Sequence, residues 1–552
     1  MSIDPFSSGM SRRSFLIKGT LLVASAAGGI ISCNSLQSAK KQMVRGGIKG
    51  ANRLAGHMLT GSGRISPKET ERTGIVVVGG GISGLSAAWE FRREGFNDFL
   101  LLELEEKAGG NAASGYNAVS HYPWGAHYIP IPGDDAVFVR QLFEELGIIE
   151  GYDARGLPLY NEFYLCADPQ ERLFVHGHWQ EGLIPQLGIS ERDRSQYDEF
   201  FQAMKEFKEA KGSDGRRAFS IPINQSSRDS RFLKYDAVSM DRYMAENGWD
   251  SRYLRWYVNY CCRDDYGCRL DETSAWAGIH YFASRAGKAA NADPHSLLTW
   301  PEGIGWIVKK MEEKVKGNIR CNACVLNIES VGDDLAVDYY DARRNVPVRI
   351  LSKAVVYAAP RFTAFRTIKP FREKVLPAYA GSFGYAPWLV ANITMKGVPD
   401  EEKGAPLSWD NVSYHSDSLG YVVANHQDLT THREKTVLTY YFPLTSGDAS
   451  SERQKALQRS YEEWVEMIIR DLSGMHPGIG DRIEELNVWL WGHAMIKPVT
   501  GFMWGEARRE AMKPLGRIFF AHSDMSGISI FEEAQYRGIM ASRAALKAIS
   551  AG

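Results

Sequence analysis

Three glycines, Gly79, Gly81 and Gly84, stand at GxGxxG spacing, and an acid, Glu103, follows 19 residues after the last of them. The chemistry open to such a set is the holding of a dinucleotide. The first glycine permits a tight turn, the second lets the backbone approach a pyrophosphate, and the third lets a helix pack against a strand. Ile82 and Ser83 belong to the same cradle, a helix N-terminus whose unpaired amides attract phosphate charge. Glu103 can accept hydrogen bonds from a ribose.

These residues need elements to hold them. Residues 75–78, IVVV, form a short continuous apolar run, as in a parallel strand covered on both faces. The stretch LSAAWEFRREG then has helical apolar spacing and stops at Gly95, and FLLLE is a second buried strand ending in Glu103. Strand, glycine turn, helix and acid-tipped strand complete the nucleotide-binding signature. The fold class they predict is α/β, with a Rossmann-like domain.

With 552 residues, two domains or one domain with a large insertion is the expectation. The formal charge of −1 leaves no electrostatic footprint for nucleic acid. Aromatic residues make up 11% of the chain, which suits an aromatic-lined cavity and equally a large core. Near the start, SRRSFLIKG with Arg12 and Arg13 precedes an uncharged stretch too short to span a bilayer, the pattern of a twin-arginine export signal. Residues 1–33 are read as that signal. Cys33 stands where a lipoprotein would carry its lipid, a possible membrane anchor, and chance is the competing explanation. Residues 34–70 read as a polar, aperiodic tether. The expected location is the periplasm or cell envelope.

Cys166, Cys261, Cys262, Cys268, Cys321 and Cys324 remain. An oxidising compartment permits disulfides without fixing their pairing. Cys321 and Cys324 form a CxxC inside an apparent strand, which favours a structural role over a redox one. No metal site is expected, because YCCRDDYGC lacks a second ligand pair at zinc spacing.

Beyond Glu103 the chain resembles the flavin amine oxidase superfamily. LELEEKAGGNAASG resembles the family's Gly-Gly continuation, which implies that Gly109, Gly110 and Asn111 pass close to FAD. WGAHYI resembles the stretch beside the flavin ring, implying Gly125, Ala126 and His127 as neighbours. CVLNI resembles the strand whose valine, here Val325, meets the adenine. GRIFFAHSDMSGISIFEEAQYRG resembles the closing FAD motif, with Ile530 beneath the flavin. The acid that contacts the ribityl chain there falls to Asp524, one position late. The family's usual Arg after Gly-Gly is Asn111 here. A Lys that many amine oxidases place on a substrate-domain strand has no counterpart in APWLVANITM.

The resemblance implies an oxidoreductase using FAD on a small-molecule substrate, with oxygen or a quinone as electron acceptor. There is no second GxGxxG for a nicotinamide reductant. An amine, polyamines included, is the expected substrate; an apolar carotenoid- or porphyrinogen-like substrate of a desaturase or isomerase is the alternative. FAD wrapped between distant segments must be bound before export, which agrees with a route that carries folded proteins. In NVWLWGHAMIKP, Trp489, Trp491 and His493 alternate and are expected on one strand face, lining a cavity or simply half-buried. His493 is a candidate base or a structural histidine. Trp388 and Tyr128 are candidate walls. Asp264 and Asp265 suit a cationic amine, or a local ion pair with Arg263. Glu532 and Glu533 suit the positive N-terminus of the last helix. The FAD-binding domain is expected to be discontinuous, 71–135, 298–375 and 495–552, with an inserted α+β substrate domain at 136–297 and 376–494.

Overall fold

The computed structural model describes residues 44–52, 56, 58–60, 66–373, 376–399, 403–429 and 433–550. The export signal and Cys33 lie outside the described residues. Within the segment expected to be a tether, a strand forms at Arg45–Gly50; from Gly46 onward it runs along Leu486 and Leu490. An edge strand is held by backbone pairing, so its side chains need no periodicity, and the sequence gives no sign of it.

Along the chain, β1 (Glu69–Val78) leads through the glycine turn into α1 (Ile82–Arg93) and β2 (Phe99–Leu102). Helices at Val137–Glu145 and Glu191–Glu209 follow, the second opened by a capping box from Ser190. Next comes α2 (Arg252–Tyr266), stopped by Gly267 in the left-handed conformation at φ 57°. Three strands, β3 (Ala323–Val331), β4 (Asp334–Asp341) and β5 (Val346–Tyr357), form an antiparallel run. Then β6 (Tyr385–Lys396), β7 (Lys435–Pro443) and β8 (Ile483–Ile496) build the heart of a second sheet. The chain closes with β9 (Ile518–Phe520) and α3 (Phe531–Ser550). The helical periodicity of RQKALQRSYEEWVEMIIRDLSG is met by two helices, Ala449–Gln458 and Tyr461–Met475, because Ser460 starts a new helix with its own capping box.

The first sheet has seven strands. In it β2, β1, β5 and β9 lie side by side and parallel, while β5 also pairs antiparallel with β4 through its first half. Val78 is level with Leu102 and with Tyr357, and Tyr357 with Phe520. Four strands therefore end together, and the crevice beyond such carboxyl ends is where α/β sheets bind ligands. Helix α3 packs on α1 so closely that a side chain at Gly538 would meet the Ser83 carbonyl oxygen at 2.1 Å.

The second sheet has eight strands, with β6 between β8 and β7 and antiparallel to both. Trp388 pairs with Trp491, and Val390 with Trp489 and Tyr441, so these five side chains share one face. The ladder breaks at Pro387, which has no N–H to give; Gly492, His493 and Ala494 bulge out opposite that one residue. Among the described residues, no helix is long and apolar enough to cross a membrane. The six cysteines from Cys166 onward are free thiols.

Candidate active site

The glycine turn is shaped by backbone crowding. Gly79 has φ 99°, and a side chain on it would meet the Ala359 amide nitrogen at 2.9 Å. A side chain on Gly84 would lie 1.9 Å from the Gly79 carbonyl oxygen. Gly81 differs: its nearest neighbour would be the Gly110 Cα at 3.9 Å, and no side chain caps α1 or places an acid in its first turn. An open concavity over uncapped helix amides at Ile82 and Ser83 fits a pyrophosphate. Gly109 donates to the Gly80 carbonyl at 2.9 Å, so the second glycine pair crosses the first backbone to backbone.

Glu103 ends β2 beside this turn. One of its oxygens accepts from the Gly80 amide at 2.5 Å and the other from the Glu105 amide at 2.8 Å. Burial nevertheless pushes the carboxyl up to about 7. The Ala323 amide donates to the Glu103 carbonyl at 2.8 Å, which brings the start of β3 alongside; Val325 is buried there, just before a bulge. These residues fit the ribose and adenine end of FAD.

Asp524, expected at the ribityl chain, is buried just after β9. Its Oδ2 accepts from the Arg361 amide at 2.7 Å and the Tyr385 hydroxyl at 2.6 Å, while Oδ1 lies 2.9 Å from His522 Nδ1. It is 1% exposed, and its Oδ1 accepts no hydrogen bond from the protein, since His522 Nδ1 is itself the acceptor for the Asp524 amide at 3.2 Å. Through Oδ2 the acid ties the segment after β9 to the end of β5 and the start of β6.

Next to the crevice lies a cavity of about 140 Å³. One side is formed by Asn111, Gly125, Ala126, Ile304, Ala494 and Ile530. Tyr128, Trp388, Val390, Tyr441 and Trp491 also line it, the last four from one face of the second sheet. Asn111 Nδ2 donates to the Ala494 carbonyl, joining the Gly-Gly loop to the bulge of β8. Trp491 Nε1 donates to the Trp124 carbonyl at 2.6 Å, and the Tyr441 hydroxyl to the Gly125 carbonyl at 2.9 Å. His127 stacks on Tyr441 with ring centres 4.3 Å apart. Burial pushes its imidazole down to about 4, so it is neutral.

Of the three residues expected on one face of β8, Trp489 and Trp491 share it and only Trp491 lines the cavity. Trp491 reaches the cavity, whereas Trp489 is one step further along the same face, between Trp124 and Trp491 at 5.1 and 5.3 Å. His493 does not line the cavity. The bulge opposite Pro387 swings it onto Phe362, ring centres 4.4 Å apart, so it is no base in this site.

The charged lining is Asp264, Asp265, Glu532 and Arg285. Arg285 Nη2 contacts both oxygens of Asp265, at 2.6 and 2.9 Å. Asp264 accepts from the Tyr128 hydroxyl at 3.1 Å. Burial pushes both Asp264 and Glu532 up to about 7, with the neighbouring Asp265 adding to the shift at Asp264. Glu533 points elsewhere, its carboxylate accepting from the Ile223 amide at 2.5 Å. No lysine lines the cavity. Arg285 and Tyr441 were not anticipated. ASRAGKAA carries no motif, although the alternation of KTVLTYYFPL could have raised Tyr441.

A dinucleotide crevice joined to an acidic, aromatic-walled cavity defines a flavin-dependent oxidoreductase. The chain belongs to the flavin containing amine oxidoreductase family, whose pattern matches residues 82–546. Oxidoreductase PigB of Serratia sp. (strain ATCC 39006) is 22% identical over 533 residues, spanning 85% of this chain and 74% of PigB. A putrescine oxidase variant superposes with a TM-score of 0.65 at 15% identity, covering 88% of this chain and all of that one. A CLA-producing fatty acid isomerase from P. acnes gives a TM-score of 0.58 at 16% identity, covering 87% and 99%. At such identities the solved structures show a shared fold. FAD is the cofactor of this enzyme.

Proposed function

We propose that the chain oxidises an amine, removing a hydride from the carbon next to nitrogen. The observation that carries this reading is the charge of the cavity: three carboxyl groups against one guanidinium, set among aromatic walls. Such a lining attracts a cation and stacks on its apolar body. FAD, when bound, supplies the two-electron acceptor. The protein's own part is to orient the amine between Tyr441, Trp388 and Trp491, exclude water, and adjust its charge. Oxygen or a quinone would then accept the electrons.

The second reading is a desaturase or isomerase for an apolar substrate. It is favoured by the absence of lysine in the lining and by the largely apolar walls. Product analysis separates the two. Incubation with primary amines is expected to release aldehyde and ammonium in equal amounts. Turnover of a polyunsaturated chain to a conjugated isomer, with no amine turnover, would overturn the amine reading.

We also propose export by the twin-arginine route with Cys33 as a possible lipid anchor, supported by the SRRSFLIKG pattern. Replacing Arg12 and Arg13 with Lys should leave the protein in the cytoplasmic fraction. The division into a discontinuous FAD-binding domain and an inserted substrate domain is likewise proposed; the strand membership of the two sheets supports it.

A further inference from the structure

Asp264 and Asp265 lie in the last turn of α2, and both reach the cavity. Their surroundings differ. Asp265 is answered inside the protein by the bidentate contact from Arg285. Asp264 receives only the neutral Tyr128 hydroxyl. The guanidinium among the lining residues is thus committed to the neighbouring acid, and the imidazole of His127 is neutral. A carboxylate left in an aromatic wall without a counter-ion either keeps a proton or meets a cation.

Resting on the amine reading above, we infer that the Asp264 carboxylate anchors the substrate's ammonium group and takes one proton from it, leaving a neutral amine. In this step one N–H bond of the ammonium breaks and one O–H bond forms on Asp264; no electrons change hands. The nitrogen lone pair so freed is what makes the adjacent C–H bond a hydride donor. In a cavity walled by aromatic side chains the neutral acid–amine pair competes well with the ion pair, because charges are less well solvated there than in bulk water.

Several groups face Asp264. On its own helix these are Asp265, Tyr260 and Cys261. From other elements come Tyr128, Arg285, Glu171, Asp410 and Tyr441. Arg285 is the one cation among them. The acids outnumber it, and with burial they hold Asp264 near 7, where it can both give and take a proton at neutrality.

Benzylammonium and benzyl alcohol, alike in size and different in charge, serve as probes. Their binding to the FAD-loaded protein is read from the flavin absorbance at several pH values. Benzylammonium should bind more tightly as pH rises through about 7. Asp264→Asn should weaken it on the order of 100-fold and abolish that pH dependence, with benzyl alcohol changed less than about threefold. Asp264→Glu, which keeps the carboxylate, should restore most of the loss. If Asp264→Asn binds both probes as the wild type does, or loses both equally, the anchor is wrong. If amines reduce the flavin of wild type and Asp264→Asn alike, the anchor fails while amine oxidation stands. If the anchor behaves as described and no amine reduces the flavin, it is the proposed function that fails.

Discussion

Of the adjacent acids in CCRDDYG, both buried, only Asp265 is paired with a guanidinium, and what burial does to Asp264 is a stability statement. Asp264 has a folded value near 7 against an ordinary 3.8. The folded protein therefore holds a proton that the unfolded chain has lost between those limits. Stability falls as pH rises across that window, and the full cost is present above 7. Asp264→Asn should accordingly stabilise the protein above pH 7, by on the order of 1–3 kcal/mol after screening by cavity water, and by nothing below pH 4. Urea unfolding at both pH values checks the sign. The glycines and Glu103 were legible because their roles follow from backbone geometry that few residue types permit. Arg285 was not, since a counter-ion can come from any loop that folds past.

Elements show where local pattern misleads. Alternation in β8 pointed Trp489, Trp491 and His493 one way, and Pro387 on the neighbouring strand undid it. A single strand's sequence cannot announce a bulge caused by its partner. The glycine turn carries no such ambiguity. Gly84→Ala would set a methyl 1.9 Å from the Gly79 carbonyl oxygen, costing roughly 1–3 kcal/mol. Because the displaced backbone is the FAD cradle, flavin content after gel filtration should fall as well. Ser460→Ala removes the cap that divides the helices after β7. It should cost about 1 kcal/mol in thermal unfolding while flavin content stays at the wild-type level, since that cap lies outside the FAD-binding segments.

For the whole molecule, the crevice takes its walls from β1, β5 and β9, which are far apart in sequence. A ligand bridging them stabilises the folded state by mass action. Added FAD should raise the midpoint of thermal unfolding of the stripped protein in proportion to the logarithm of its concentration. A flat response would mean that the segments do not meet around FAD. Those segments were legible because each must approach one rigid cofactor. The order of the second sheet was not, being decided by which apolar faces fit together.

The most direct test of the account mixes FAD-loaded protein with excess primary and secondary amines in the absence of oxygen, following the visible flavin band. Bleaching by at least one amine is expected, with restoration when oxygen or a quinone is admitted. A flavin that stays oxidised with every amine, and bleaches or turns over only with an uncharged, unsaturated substrate, would contradict amine oxidation.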